Sequence, residues 1–176
     1  NPCDDVEARA AVRTAVEFEG PVYMRFGRLA VPVINDRETY KFELGKGVTM
    51  KDGNDITIVA TGLMVNEALE ASKVLENEGI SARVVNIHTI KPLDKELIYK
   101  CAKETGVIVT AEEHSVIGGL GSAVAEAVTE CCPVPVIKIG VNDVYGHSGP
   151  AVDLLKEFGL SSENIVNTVK KAINLK

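Results

Sequence analysis

The sequence predicts an α/β fold, a three-layer α/β/α arrangement around a mostly parallel sheet, preceded by a helix-strand tail. Three observations carry this expectation. β-Branched runs fall at residues 56–60, 82–87, 107–110 and 134–139. Segments of helical length, 64–78, 95–105 and 120–131, lie between them. The runs are near-continuously apolar, as strands covered on both faces by crossover helices must be.

Taken in order, residues 4–19 set Val6, Ala10, Val12 and Val16 near helical spacing behind an acidic start, and Gly20-Pro21 ends the helix. Residues 22–26 read as a short strand. The stretch from Arg28 to Gly53 is rich in Gly, Lys and Asp without a sustained period, which predicts a linker with room for a hairpin. Gly79 and Gly106 close the next two helices. Helices over 151–158 and 163–173 end the chain, the second capped by Ser161 or Ser162.

Composition narrows the function classes. The 176 residues are 45% hydrophobic and carry a formal charge of −6, which suits one main core and an acidic protein. Binding to a nucleic-acid backbone needs clustered Lys and Arg, so nucleic acid is not an expected partner. No apolar run approaches the ~20 residues of a bilayer span, and the first residues lack the basic and apolar regions of a signal peptide. No membrane partner is therefore expected, and the compartment is read as cytoplasmic. Cys3, Cys101, Cys131 and Cys132 form no CxxC pair, consistent with reduced thiols. The start at Asn1, running straight into an amphipathic segment, suggests a chain that begins inside a larger protein.

Right-handed crossovers put the carboxyl ends of parallel strands, and the loops after them, on one edge. All three histidines, His88, His114 and His147, fall in these loops. The segment from Val109 to Val124 holds Glu112, Glu113, His114 and the turn Gly118-Gly119-Leu120-Gly121 before a helix, where amides can receive a phosphate. The dinucleotide fingerprint fails there, because Val124 stands at its third glycine and the turn follows the third strand of the series. The favoured reading of the turn is close packing of a helix on the sheet or on another subunit. Adjacent strand residues point to opposite faces, so Glu112 and Glu113 cannot act as one acid/base pair. His114 has the right intrinsic pKa for a general base, but Ser115 is the only nucleophile beside it, which favours a hydrogen-bonded loop histidine. Arg25 and Arg28 offer planar guanidinium forks to a phosphate or carboxylate, against the alternative of surface ion pairs. His147, in Tyr145-Gly146-His147-Ser148-Gly149-Pro150, lacks a partner acid nearby in sequence and reads as a loop residue.

An ordered set of segments resembles the carboxyl-terminal part of transketolases, above all those encoded as two chains. It comprises Gly20-Pro21-Val22-Tyr23-Met24-Arg25-Phe26-Gly27-Arg28 with Pro32, Lys46-Gly47, residues 53–62, Ile90-Lys91-Pro92-Leu93-Asp94, residues 111–124, and Gly146-His147-Ser148-Gly149 followed by residues 155–160. The resemblance covers nearly the whole chain. It implies residues 1–36 as the tail of a pyrimidine-binding domain with a linker, and 37–176 as the carboxyl-terminal domain.

The resemblance also implies a function in pentose phosphate and carbohydrate metabolism. Such enzymes use thiamine diphosphate and Mg to move a two-carbon ketol unit between sugar phosphates, and their sites form across a dimer interface. Arg28 matches the family arginine that holds the substrate phosphate; Arg25, His114 and His147 remain weaker candidates. The family's cofactor-activating glutamate lies upstream, and the Gly-Asp-Gly followed by Asn of the diphosphate and Mg motif is absent. This implies a chain inactive alone, with neither cofactor bound to it, partnered by an N-terminal transketolase part or subunit in a homodimer. The same domain occurs in deoxyxylulose-phosphate synthases and in 2-oxo-acid dehydrogenase beta chains. A noncatalytic module binding a ligand or partner is the remaining alternative.

Overall fold

The computed structural model describes residues 1–176. Five strands, β1 (Val48–Lys51), β2 (Ile56–Ala60), β3 (Ala82–Asn86), β4 (Ile108–Ser115) and β5 (Val136–Val141), form one sheet in the order β1-β3-β2-β4-β5. Pairing is parallel throughout β3-β2-β4-β5, and β1 joins the β3 edge antiparallel. The helices are α1 (Asp5–Glu17), α2 (Met64–Asn77), α3 (Lys95–Thr105), α4 (Leu120–Cys131), α5 (Ala151–Glu157) and α6 (Ser162–Ala172), followed by a 3₁₀ turn at Ile173–Leu175.

Strand alternation sorts the core into two layers. Ile56, Ile58 and Ala60 of β2 face a cluster with Val65, Ala68 and Leu75 of α2 and Ile165 and Val169 of α6. Val59, between them, faces the other cluster, built with Ile98 and Ala102 of α3 and Val124 and Val128 of α4. All residues of β2 and β3 are buried, which is why their sequences carry no polar alternation. Burying each large aliphatic side chain contributes about 1.5–3 kcal/mol.

Helix ends follow local chemistry. Asp4 caps α1 by accepting from the Glu7 amide, Asp94 caps α3 through Leu97, and Ser161 caps α6 through Asn164. Gly106 ends α3 in the left-handed region at φ 70°, where a side chain would be strained. Lys91-Pro92 is a cis peptide.

Four differences from the sequence expectations have physical causes. Residues 22–26 form no strand, because no neighbouring strand takes up their backbone groups in this chain. The expected linker contributes β1, whose residues pair with Asn86, Val85 and Val84; Gly53 permits the return, since a Cβ there would collide with the Ala82-Arg83 backbone. Strand β4 runs on to Ser115, so His114 is a strand residue and not a loop residue. On α1 the buried residues are Val6, Glu7 and Ala11, while Val12 and Val16 face solvent.

Candidate functional site

The carboxyl edge of the sheet is organised by Glu112. Its carboxylate, completely buried, accepts from the Leu120 amide at 2.8 Å and the Gly121 amide at 2.8 Å. These are first-turn amides of α4, whose own N-cap residue Gly119 supplies no side-chain acceptor. Thus the anion seat expected of a glycine turn is filled by the chain's own carboxylate. The glycines make room for it: a Cβ on Gly119 would overlap the Glu112 carboxylate, and one on Gly121 would stand 2.7 Å from Thr110 Oγ1 and 2.8 Å from Lys138 Cγ. Close helix-sheet packing, the favoured sequence reading, is what the turn provides.

Glu113 points to the opposite face, as alternation requires, and is half-buried near Gly27 and Arg25. A Cβ built on Gly27 would lie 3.6 Å from Glu113 Oε2. Burial raises the Glu113 carboxyl above its ordinary range while Arg25 pulls it back. Burial likewise lowers the Arg25 guanidinium, with Glu113 opposing. In both groups desolvation outweighs their mutual attraction.

A cavity of about 790 Å³ opens between this edge and the tail. Arg25, His88, Lys91, Glu112 and His114 line it together with Gly118 and Gly119. His88 is 4% exposed; its Nδ1 is 2.8 Å from Thr89 Oγ1, its ring stacks on Phe42 at 4.2 Å, and its Nε2 is buried without a partner. Burial lowers its pKa, which favours the neutral ring. His114 is exposed at the rim.

Two expected site residues stand outside this group. Arg28 is exposed and takes no part in the arginine salt bridges, which use Arg9, Arg37 and Arg83. His147 lies beyond β5, where its Nε2 meets Glu157 Oε1 at 2.8 Å and its ring packs on Phe158. The partner acid missing near His147 in sequence is therefore supplied from α5, ten residues on.

A buried polar network was not foreseen from the sequence. Glu7 is fully buried, accepting from the Cys3 amide at 2.7 Å, from Asn86 Nδ2 at 2.9 Å and from the Tyr40 hydroxyl. Asp4 accepts from the Ile34 and Asn35 amides as well as from Glu7. This network ties α1 and residues 34–40 to the end of β3. Its one sequence signal is Asn86, a polar residue set between the apolar Val85 and Ile87.

The glycine turn at the start of α4 already holds the Glu112 carboxylate, and no group of three His, Cys, Asp or Glu residues is arranged to hold a metal ion. No helix is long and apolar enough to cross a membrane.

Residues 45–165 match the transketolase C-terminal domain family, most of the chain. The chain belongs to this family. Along nearly its full length it is 45% identical to a 6-deoxy-6-sulfo-D-fructose transketolase subunit of Clostridium sp. strain MSTE9, over 99% of this chain and 54% of that protein. A 1-deoxy-D-xylulose-5-phosphate synthase of Heliobacterium modesticaldum is 44% identical over 97% of this chain and 27% of its own. A solved split-gene transketolase, described as an inactive β4 tetramer, is 53% identical with a TM-score of 0.96, covering 99% of this chain and 57% of that one. The chain thus spans about half the length of its subunit-type relatives.

Proposed function

We propose that this chain is the carboxyl-terminal part of a thiamine-diphosphate-dependent transketolase that moves a two-carbon ketol unit between sugar phosphates. The supporting observation is the near-complete overlap with a split-gene transketolase chain, at a TM-score of 0.96 over 99% of this chain. In this reading an N-terminal part or subunit brings the cofactor and Mg site, and the assembly is a cytoplasmic homodimer. Residues 1–36 belong to the pyrimidine-binding domain, and residues 37–176 pack beside it. Arg28 binds the substrate phosphate; its exposed guanidinium, free of internal ion pairs, suits that task.

The test supplies the chain with xylulose 5-phosphate, ribose 5-phosphate, thiamine diphosphate and Mg, first alone and then with its N-terminal partner. No turnover is expected alone and turnover is expected with the partner. Activity of the isolated chain, or none in the assembly, overturns the proposal. A second reading, a deoxyxylulose-phosphate synthase, draws on the 44% identity over 97% of this chain. Turnover of the assembly with pyruvate as donor, in place of xylulose 5-phosphate, would favour it.

A further inference from the structure

We infer that Glu113, although it lies on the sheet, is a positioning residue for the phosphate-binding arginine, and so makes substrate-phosphate affinity depend on the carboxyl-terminal domain. This rests on the reading of Arg28 as the phosphate ligand.

The argument begins with the strand. Val109 and Ala111 of β4 face the α2-α6 layer, so Glu113, two residues further, emerges on that same face. Glu112, between Ala111 and Glu113, is fastened to α4 by two buried hydrogen bonds. That anchorage fixes the backbone from which Glu113 projects. The β4-β5 register shifts between Ala111 and Ser115, at the same place. A register shift re-aims side chains at a sheet edge.

What Glu113 meets is the arginine segment. A Cβ built on Gly27, the residue preceding Arg28, would stand 3.6 Å from Glu113 Oε2 and 4.0 Å from Leu63 Cδ2. Gly27 therefore turns its Cα side toward a carboxylate and an apolar side chain of the sheet domain, with no room for more than a methyl group between them. Arg25, two residues before Gly27, is attracted by the same carboxylate. Residues 21–33 carry no helix or strand and make no backbone–backbone hydrogen bond, so local backbone hydrogen bonding does not set the course of this segment. One carboxylate, desolvated on a rigid strand, sets it instead. Its loss frees the segment, and Arg28 must then be ordered when phosphate binds, which weakens affinity without touching the reacting atoms.

The test compares donors with and without phosphate in the assembled enzyme. For Glu113→Gln, which keeps shape and removes charge, KM for xylulose 5-phosphate is expected to rise about fivefold. KM for hydroxypyruvate, which has no phosphate, and kcat with either donor should stay within about twofold. Glu113→Asp should recover part of the loss. Arg25→Met should act in the same direction, and its combination with Glu113→Gln should be less than additive. An equal change for both donors, or none, overturns the inference. Arg28→Gln, run in parallel, separates the two claims. If it discriminates between the donors and Glu113→Gln does not, the positioning role alone fails; if Arg28→Gln does not discriminate, both fail. Should Glu113→Gln assemble too poorly for kinetics, stabilisation of the melting temperature by inorganic phosphate gives the same comparison, and undiminished stabilisation counts against the inference.

Discussion

At Gly119 the chain has no space to spare. A methyl group there would fall within the Glu112 carboxylate, forcing that carboxylate off the Leu120 and Gly121 amides. Gly119→Ala is therefore expected to destabilise the fold by about 2–3 kcal/mol, from overpacking and unsatisfied buried groups together. Thermal unfolding followed by circular dichroism should show a drop on the order of 5–10 °C; an unchanged midpoint would mean that Glu112 has another seat. Glu112 was only half legible in the sequence. Strand alternation correctly parts it from Glu113, but no short-range rule says that its side chain returns to a helix eight residues on. That fact is tertiary: β4 and α4 share one face, and the turn glycines bring their ends together. Arg28 and Glu113 illustrate the same limit, since their segments are separated in sequence by the β2-α2-β3-α3 run.

Among the elements, α5 differs in having no buried residue. Its attachment to the loop after β5 relies on His147, Glu157 and Phe158. The Glu157 hydrogen bond raises the His147 pKa above its ordinary 6.5. A raised histidine pKa stabilises the folded arrangement fully below the unfolded value, and the effect disappears as pH rises through the folded value. Amide protection across Ala151–Glu157, the exchange rate taken relative to the intrinsic base-catalysed rate at each pH, should therefore be greatest below about pH 6.5 and fall as pH rises through the raised pKa. Glu157→Gln should remove that pH dependence; its persistence would assign the effect to another group. The repeated strand-helix units were legible because each carries its own periodicity and glycine stop. Strand β1 was not, since a short edge strand buries little and owes its existence to the free edge of β3. Residues 22–26 show the converse: strand-like composition forms a strand only beside another strand.

For the molecule as a whole, the two core clusters draw on residues 1–36 only at Cys3 and through Ile34 packed against them. The tail is joined mainly through Glu7, Asp4 and Asn35, whose hydrogen bonds with Tyr40 and Asn86 form one network. Removing the tail removes Glu7 and opens Tyr40 and Asn86 to water together, leaving no charge buried without a partner. Residues 37–176 alone are expected to keep a single cooperative thermal transition at a lower temperature than the full chain. A molten, non-cooperative profile would show that the tail is part of the folding unit.

The carboxylate under the α4 turn also acts as a tethered competitor. A group held on the same chain meets its site at an effective concentration in the mM range or above. A free phosphate arriving at these amides must displace an acid that never diffuses away, and must leave that acid's charge buried without a partner. A glycine-rich helix start therefore advertises an anion site only when the strand feeding it brings no acidic residue within reach; here the occupant is written into the sequence eight positions earlier.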